Sequence, residues 1–243
     1  MEAPQDHHAL ETLALLGNLG SYLSSRYGEL WDLEVAIALS EAAVEATPED
    51  NLDRTRYLAN LGFFMSRLYE RTGDLEDLDA AIARSGEAVE STPEYHLNRA
   101  GYLANLGLFM SHRYERTGNL EDLEAAIARS EEAVEATPED HPTLAAQLSN
   151  LGNYLSRRYE RTGDMKDLEA AIARSEAAVH STPEDHPERA KCLNNLGVCL
   201  RLLYGRTGNL KDLEAAIARS EAAVGATPED HPTLAGQMNE SNA

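Results

Sequence analysis

The side chains that could do chemistry in this sequence recur at fixed intervals. Histidines stand at His96, His141, His186 and His231, each 45 residues after the last, and pairs of carboxylates are abundant. Imidazoles and carboxylates are zinc ligands and general acid–base groups. Equivalent positions on stacked helices should lie about 10 Å apart, which is too far for ligands of one metal with bonds of about 2 Å. We therefore expect the histidines to cap helices or face solvent, and we predict no metal site and no cofactor.

No other constellation of catalytic residues occurs in the sequence. It has no phosphate-binding glycine loop, nucleophile elbow, CxxC pair or HExxH helix. The two cysteines, Cys192 and Cys199, lie in a segment that reads as helix, which separates them by about 10 Å and excludes an unstrained disulfide. Each replaces an apolar or aromatic residue of the other repeats, so we expect both thiols to pack in the core. The sequence predicts a protein that is not an enzyme.

Composition limits the classes of partner. The chain has 42 acidic and 21 basic residues, a formal net charge of -21. This charge opposes attraction to phosphate backbones and to anionic lipids. No segment reads as a secretory signal or is apolar enough to span a bilayer. We predict no nucleic-acid partner, no membrane association and a cytoplasmic location.

A period of 45 residues organises the chain. The ten residues ATPEDHPTLA that begin at Ala136 return at Ala226, and prolines mark the same point of each period. These prolines are Pro48, Pro93, Pro138, Pro183 and Pro228. Such a period indicates a stack of helical repeats. We predict one domain over residues 1–243, with repeats 1–50, 51–95, 96–140, 141–185 and 186–230. Residues 231–243 read as a partial sixth repeat or a cap, and we favour a chain that is a fragment of a longer protein.

Each repeat reads as two amphipathic helices, which we name A and B. In the third repeat the apolar stripe of the A helix consists of Leu103, Leu106, Gly107, Met110 and Tyr114. The stripe of the B helix consists of Leu120, Leu123, Ala126, Ile127, Ala133 and Val134. Gly118 should end the A helix, and Thr137-Pro138 should end the B helix. Asp140-His141-Pro142 should then start the next A helix, with Asp140 or His141 as its cap.

The repeat resembles a known family. The third repeat carries Leu106 and Gly107 in its A helix, then Ala126, Ala133 and Pro138 in or after its B helix, and this order resembles the tetratricopeptide repeat. The family unit is usually about 34 residues. The longer unit, opened by DHPxxAxxLxNLG, is similar to the extended repeats of kinesin light chains. It is also similar to arrays beside nucleotide-binding switch domains or caspase-like domains in fungal and bacterial signalling proteins, where the repeats serve as sensors. The resemblance implies an all-α, right-handed solenoid of stacked helix-turn-helix repeats, with partner peptides in a concave groove lined by A helices.

The repeats differ from one another mainly on one face of the A helix. The B-helix segment DLEAAIARS occurs three times unaltered, whereas four A-helix positions spaced by 3, 4 and 4 residues vary strongly. Phe63, Leu108 and Val198 place apolar side chains on this variable face, and clustered exposed apolar residues often mark an interaction site. Basic side chains and the serines Ser66, Ser111 and Ser156 are assigned to the same face or the adjoining turn. Pairing of these basic side chains with neighbouring acids within the chain is the alternative.

An asparagine precedes the Leu-Gly pair in every repeat. Asparagine is unfavourable inside a helix, so an unvarying one should make a specific hydrogen bond. The resemblance to kinesin light chains implies contact with peptide backbone, and Asn194-Asn195-Leu196 matches their NNL segment most fully. A ladder of bonds between successive A helices is the alternative. The candidate groove residues are Asn60, Phe63, Arg67, Asn105, Leu108, His112, Asn150, Asn153, Arg157, Lys191, Asn194, Asn195, Val198 and Arg201.

These patterns together predict a protein–protein interaction scaffold. Its partner would be a peptide segment of another protein, acidic and with apolar anchors, and the chain could be the sensor part of a larger signalling protein. The alternative is a structural role, in which a chain that is otherwise a monomer stacks head to tail through its open ends and has no specific peptide site.

Overall fold

The computed structural model describes residues 30–226, and within this range the chain is all-helical. The helices are α1 (Leu30–Ala46), α2 (Leu52–Thr72), α3 (Leu75–Glu90), α4 (Arg99–Thr117), α5 (Leu120–Glu135), α6 (Leu144–Thr162), α7 (Met165–Ser181), α8 (Arg189–Thr207) and α9 (Leu210–Ala226). The even-numbered helices are A helices and the odd-numbered ones are B helices. The predicted fold class is confirmed. The predicted first A helix and the partial repeat at 231–243 lie outside the described residues.

The chain divides into two compact units, one ending at Ala133 and the other starting at Val134. In the first unit, α1 packs on α2, α2 on α3 and α3 on α4. In the second unit, α6 packs on α7, α7 on α8 and α8 on α9. The same alternation of A and B helices therefore builds both units. The single domain predicted over residues 1–243 stays a prediction.

The glycine of the Leu-Gly pair lets the A helix approach the B helix of its own repeat. A Cβ atom added to Gly152 would lie 2.6 Å from the Ser175 hydroxyl oxygen and 3.2 Å from the carbonyl oxygen of Ala171. Gly62 meets Ser85 in the same way, at 2.3 Å. A larger side chain would push the helices apart, which explains why this position is a glycine.

Each core is built from both helix types. In the first unit Leu103 and Leu106 of α4 pack with Leu78 and Val89 of α3 in a buried cluster. Phe109, which the predicted stripe omitted, is fully buried there, whereas Met110 is only partly buried. Phe109 follows Leu106 by three residues and so lies on the same side of the helix.

At the turn from an A helix to its B helix, the C-cap residue of the first helix is followed directly by the residue that caps the start of the second. Gly118 has a φ angle of 70°, and its N–H donates to the Tyr114 carbonyl oxygen at 2.7 Å. Only glycine adopts this left-handed conformation without strain, so the predicted stop is confirmed. The next residue, Asn119, accepts a hydrogen bond from the Glu121 N–H at 3.1 Å and starts α5.

The joint from a B helix to the next A helix uses its histidine to close a turn. The His141 N–H donates to the Pro138 carbonyl oxygen at 3.0 Å, and the ring Nδ1 accepts from the Thr143 N–H at 3.3 Å. The ring of His186 accepts in the same way from the Glu188 N–H at 3.1 Å. The N-cap residues of α6 and α8 are Thr143 and Glu188, so the two histidines do not cap these helices and instead face solvent, the other of the two expectations. The predicted start of the A helix at Asp140–Pro142 was wrong, because a tight turn occupies this segment and α6 begins at Leu144.

Candidate functional site

The candidate groove residues all lie on the A helices α2, α4, α6 and α8, and none of them is fully buried. The exposed ones are Phe63, Arg67, Lys191, Asn194 and Arg201. The half-buried ones are Asn60, Asn105, Leu108, His112, Asn150, Asn153, Arg157, Asn195 and Val198. Each side chain is therefore accessible to a ligand at least in part.

Three serines assigned to this face belong elsewhere. Ser66, Ser111 and Ser156 are buried. Each stands four residues after the glycine of its A helix, one residue before the last variable position, and one residue rotates the side chain by about 100° around the helix. The assignment of these serines to the accessible face was wrong.

In the second unit, polar bonds link the two A helices directly. Asn195 of α8 donates from Nδ2 to the Ser149 hydroxyl of α6 at 2.9 Å. Lys191 of α8 donates from Nζ to Asn150 Oδ1 of α6 at 3.2 Å. Asn195 therefore makes a hydrogen bond between successive A helices, which was the alternative to contact with a peptide. These bonds leave Asn195 Oδ1 and Asn150 Nδ2 as an acceptor and a donor for a ligand.

In the first unit, the same face is more apolar. Phe63 of α2 is 43% exposed and meets buried Phe64 edge to face, with ring centroids 5.9 Å apart. Leu108 of α4 packs against the buried cluster with part of its surface accessible. The His112 ring lies 6.4 Å from the Tyr69 ring, and its Nδ1 is buried without a hydrogen-bond partner among the described residues.

Basic side chains near the variable face pair with acids on their own helix or just before it. Arg67 contacts Glu70 at 2.6 Å, and both side chains are well exposed. Lys191 lies 3.9 Å from Glu188. Exposed ion pairs of this kind contribute about 0–1 kcal/mol to the free energy of folding, because water and salt screen the two charges. Intramolecular pairing is thus present, and it is weak enough for a ligand carboxylate to replace the acid.

Side chains that can bind metals or act as nucleophiles also occur among the described residues. No group of three or more His, Cys, Asp or Glu side chains there has the arrangement of a metal site. Cys192 and Cys199 are both free and buried, as expected. Burial raises the pKa of the Cys199 thiol, with hydrogen bonds to Ser175 and Ser156 opposing the shift, so the unreactive protonated form is favoured.

The span between 30 and 226 contains no helix that is both long and apolar enough to cross a bilayer.

Two exposed residues were missed by sequence reasoning. Tyr95 and Leu97 lie in the joint between α3 and α4 and are almost fully exposed. The later joints have Asp140 and Pro142, and Asp185 and Pro187, at these positions. The signal is present in the sequence, because an aromatic and an aliphatic residue stand here where the later joints have aspartate and proline.

A family model described as tetratricopeptide repeat matches residues 99–143, 144–188 and 189–233, together more than half of the chain. The three matches start at the first residues of α4, α6 and α8, three residues after the repeat boundaries predicted from the sequence. The search of curated proteins found no match.

Several solved structures are similar in fold. BtubC (BKLC) from P. vanneervenii has a TM-score of 0.60 at 16% identity, over 95% of this chain and 95% of that one. A MamA RS-1 double mutant has a TM-score of 0.61 at 17% identity, over 90% and 97%. A putative kinesin light chain of Podosopora anserina with nearly identical TPR-like repeats has a TM-score of 0.55 at 17% identity, over 90% and 97%. At these identities the likeness concerns the fold alone.

Proposed function

Because the chain belongs to the tetratricopeptide repeat family, we propose that it binds a peptide segment of a partner protein along the variable face of its A helices. Proteins of this family generally mediate protein–protein interactions, and the scaffold typically carries no catalysis. The observation that carries the proposal is the contrast between helices: the accessible A-helix face differs in every repeat, while the B helices repeat almost unchanged.

The chemistry of this face suits a peptide with both apolar and acidic side chains. Phe63 and Leu108 offer apolar contact in the first unit, and aromatic anchors contribute much of the energy at such interfaces. Asn150 and Asn195 retain one amide atom each for the peptide backbone in the second unit. Arg67 can exchange Glu70 for a ligand carboxylate. A cytoplasmic location and a role as the sensor part of a larger signalling protein stay predictions.

The test is capture of short peptides that vary in charge and in apolar anchors, at low and moderate salt. Phe63→Asn introduces the residue that stands at the equivalent position, Asn153, and should weaken binding by about tenfold, because a buried anchor contributes more than about 1 kcal/mol. The matched control is Ala83→Asn on the exposed face of the B helix α3, which should leave binding unchanged.

Basic side chains on the variable face should affect peptide capture in the same assay. Replacing Arg67 and Arg157 together by glutamine should reduce capture of acidic peptides and flatten its salt dependence. If the folded monomer captures no peptide, or if Ala83→Asn weakens capture as much as Phe63→Asn, the proposal is wrong.

Head-to-tail stacking is the second candidate. Ile217 of α9 is 50% exposed, whereas Ile127, its equivalent in α5, is 2% exposed. An apolar face of this kind could receive a second copy. Replacing Ile217 by lysine should then abolish any association, which sedimentation would detect.

A further inference from the structure

The joint between α3 and α4 carries an apolar projection, which we call the knob. It consists of Tyr95, which is 92% exposed, and Leu97, which is 84% exposed. The joints before α6 and α8 instead carry Asp and Pro on either side of the same histidine. Two large apolar side chains at this exposure, two positions apart in one joint, mark a candidate contact with a partner.

The backbone beneath the knob is held by several hydrogen bonds. The His96 N–H donates to the Pro93 carbonyl oxygen at 3.0 Å. The Arg99 guanidinium donates to the carbonyl oxygens of Val89 and Thr92, each at 2.6 Å, and ties the joint to the end of α3. A segment that is already ordered loses little conformational entropy on docking, so the knob is suited to act as an anchor.

The second unit contains a receiving site of suitable size, which we call the cleft. It has a volume of about 340 Å³ and lies between the joint before α6 and the joint before α8. Its apolar lining includes Pro142, Ala145, Ala146 and Pro183. His141, His186 and the carboxylate of Glu188 also line it. Pockets that hold small ligands start at about 300 Å³, so the cleft can take an aromatic ring.

We propose that the knob of one copy docks in the cleft of a second copy of this chain. The ring of Tyr95 would lie against the prolines and alanines, and its hydroxyl would donate to the Glu188 carboxylate of the lining. Tyr95 and Leu97 are exposed in the single chain, so their side chains are accessible to a second copy. This contact uses the joints and the first turn of α6, where Ala146 is one of the variable A-helix positions, and it uses none of the candidate groove residues.

The contact should be weak and should strengthen with salt. A knob of two side chains buries far less than the roughly 1,200 Å² of a small stable interface, so association requires high protein concentration. Each copy carries a formal charge of -21, and the two copies repel each other. Salt shortens the screening length to about 3 Å at 1 M and removes most of this repulsion.

The repeats themselves supply variants that should fold. Tyr95→Asp combined with Leu97→Pro removes the knob and introduces the Asp-His-Pro sequence of the joints before α6 and α8. Ala146→Lys obstructs the cleft with the residue that stands at the equivalent position of α8, Lys191. Tyr95→Ser alone provides a second knob variant in case the new proline disturbs the joint.

Sedimentation velocity over a wide range of protein concentration tests the proposal, with circular dichroism as the check on folding. The wild-type chain should associate at high concentration and more strongly at high salt. Each variant alone should remain monomeric. An equimolar mixture of the knob variant and the cleft variant should form a one-to-one pair, because the mixture contains one intact knob and one intact cleft.

Three results would overturn the proposal. The first is a wild-type chain that stays monomeric at every concentration and salt. The second is association that persists in both single variants, which would assign it to another surface such as the exposed face of α9. The third is a mixture of folded variants that stays monomeric. Peptide capture by the knob variant should equal that of the wild type, which separates this proposal from the peptide-binding one.

Discussion

Glycine occupies two kinds of position in these helices, and the difference sets the tolerance to substitution. A Cβ atom at Gly152 would crowd Ser175 and the backbone of Ala171, whereas nothing lies within 4 Å of the position a Cβ would take at Gly86 in α3. The other B helices described have glutamate at the position of Gly86. Space, and not backbone conformation, therefore distinguishes the two sites.

Gly152→Ala should destabilise the protein by about 1–3 kcal/mol, because α6 and α7 would have to separate. Gly86→Ala should stabilise it by about 0.5–1 kcal/mol, because alanine is the better helix former and meets no neighbour. Urea unfolding of both variants beside the wild type measures the difference. Equal effects of the two substitutions would contradict the close packing described above.

An aspartate in the first turn of the B helices, buried at Asp167 and half-buried at Asp77, finds a different partner in different repeats. Arg158 binds Asp167 through two hydrogen bonds, at 2.6 and 2.9 Å. Where the arginine is replaced by Leu68, the equivalent Asp77 accepts a hydrogen bond from the Thr72 hydroxyl at 3.1 Å. In these two repeats the carboxylate is therefore satisfied by either of two routes, whereas Oδ2 of Asp32 in α1 is buried without a hydrogen-bond partner among the described residues.

At the scale of the helix, the asparagines of the A helices have unequal roles. Asn195 of α8 is bonded to Ser149 of α6. In the first unit, the residue equivalent to Ser149 is Ala59, which has no hydroxyl to offer to Asn105. One sequence position thus links two A helices in the second unit and lacks this partner in the first unit.

Asn195→Ala should lower the free energy of unfolding by up to about 1 kcal/mol, since a hydrogen bond between helices is lost. Asn105→Ala should leave stability unchanged within about 0.5 kcal/mol and should weaken capture of peptides. Chemical unfolding and peptide capture, measured on both variants, separate the two roles. A loss of stability in Asn105→Ala as large as in Asn195→Ala would make this asparagine structural as well.

At the scale of the whole molecule, charge opposes the compact state. The formal charge of -21 is distributed over 243 residues, and the exposed ion pairs found here, such as Arg67–Glu70 and Arg84–Glu87, are of the weak i,i+3 kind. Repulsion among the unpaired carboxylates should therefore outweigh what the pairs contribute.

Raising the sodium chloride concentration from about 0.05 to 0.5 M should therefore increase the thermal midpoint, because screening weakens repulsion more than it weakens the exposed pairs. The measurement is thermal unfolding followed by circular dichroism at low protein concentration, where self-association does not contribute. A midpoint that falls with salt would mean that the ion pairs dominate.

What could be predicted from the sequence was local in origin. Hydrophobic periodicity predicted the helix pairs and Gly118 predicted the end of α4, because each feature depends on residues a few positions apart. The burial of Cys192 and Cys199 also followed from comparing repeats with one another. The 45-residue period and the Leu-Gly signature were sufficient for the family.

Tertiary structure decided what depends on distant residues. Asn195 and Ser149 are 46 positions apart, so no periodicity could reveal which amide is bonded. Ser156 lies one residue from the accessible face, and only helix packing shows that it is buried. The sequence shows Tyr95 and Leu97 as differences between repeats, but only the folded joint shows that both side chains are almost fully exposed. The sequence determined the helices, and the packing of one helix against another determined which side chains a partner can reach.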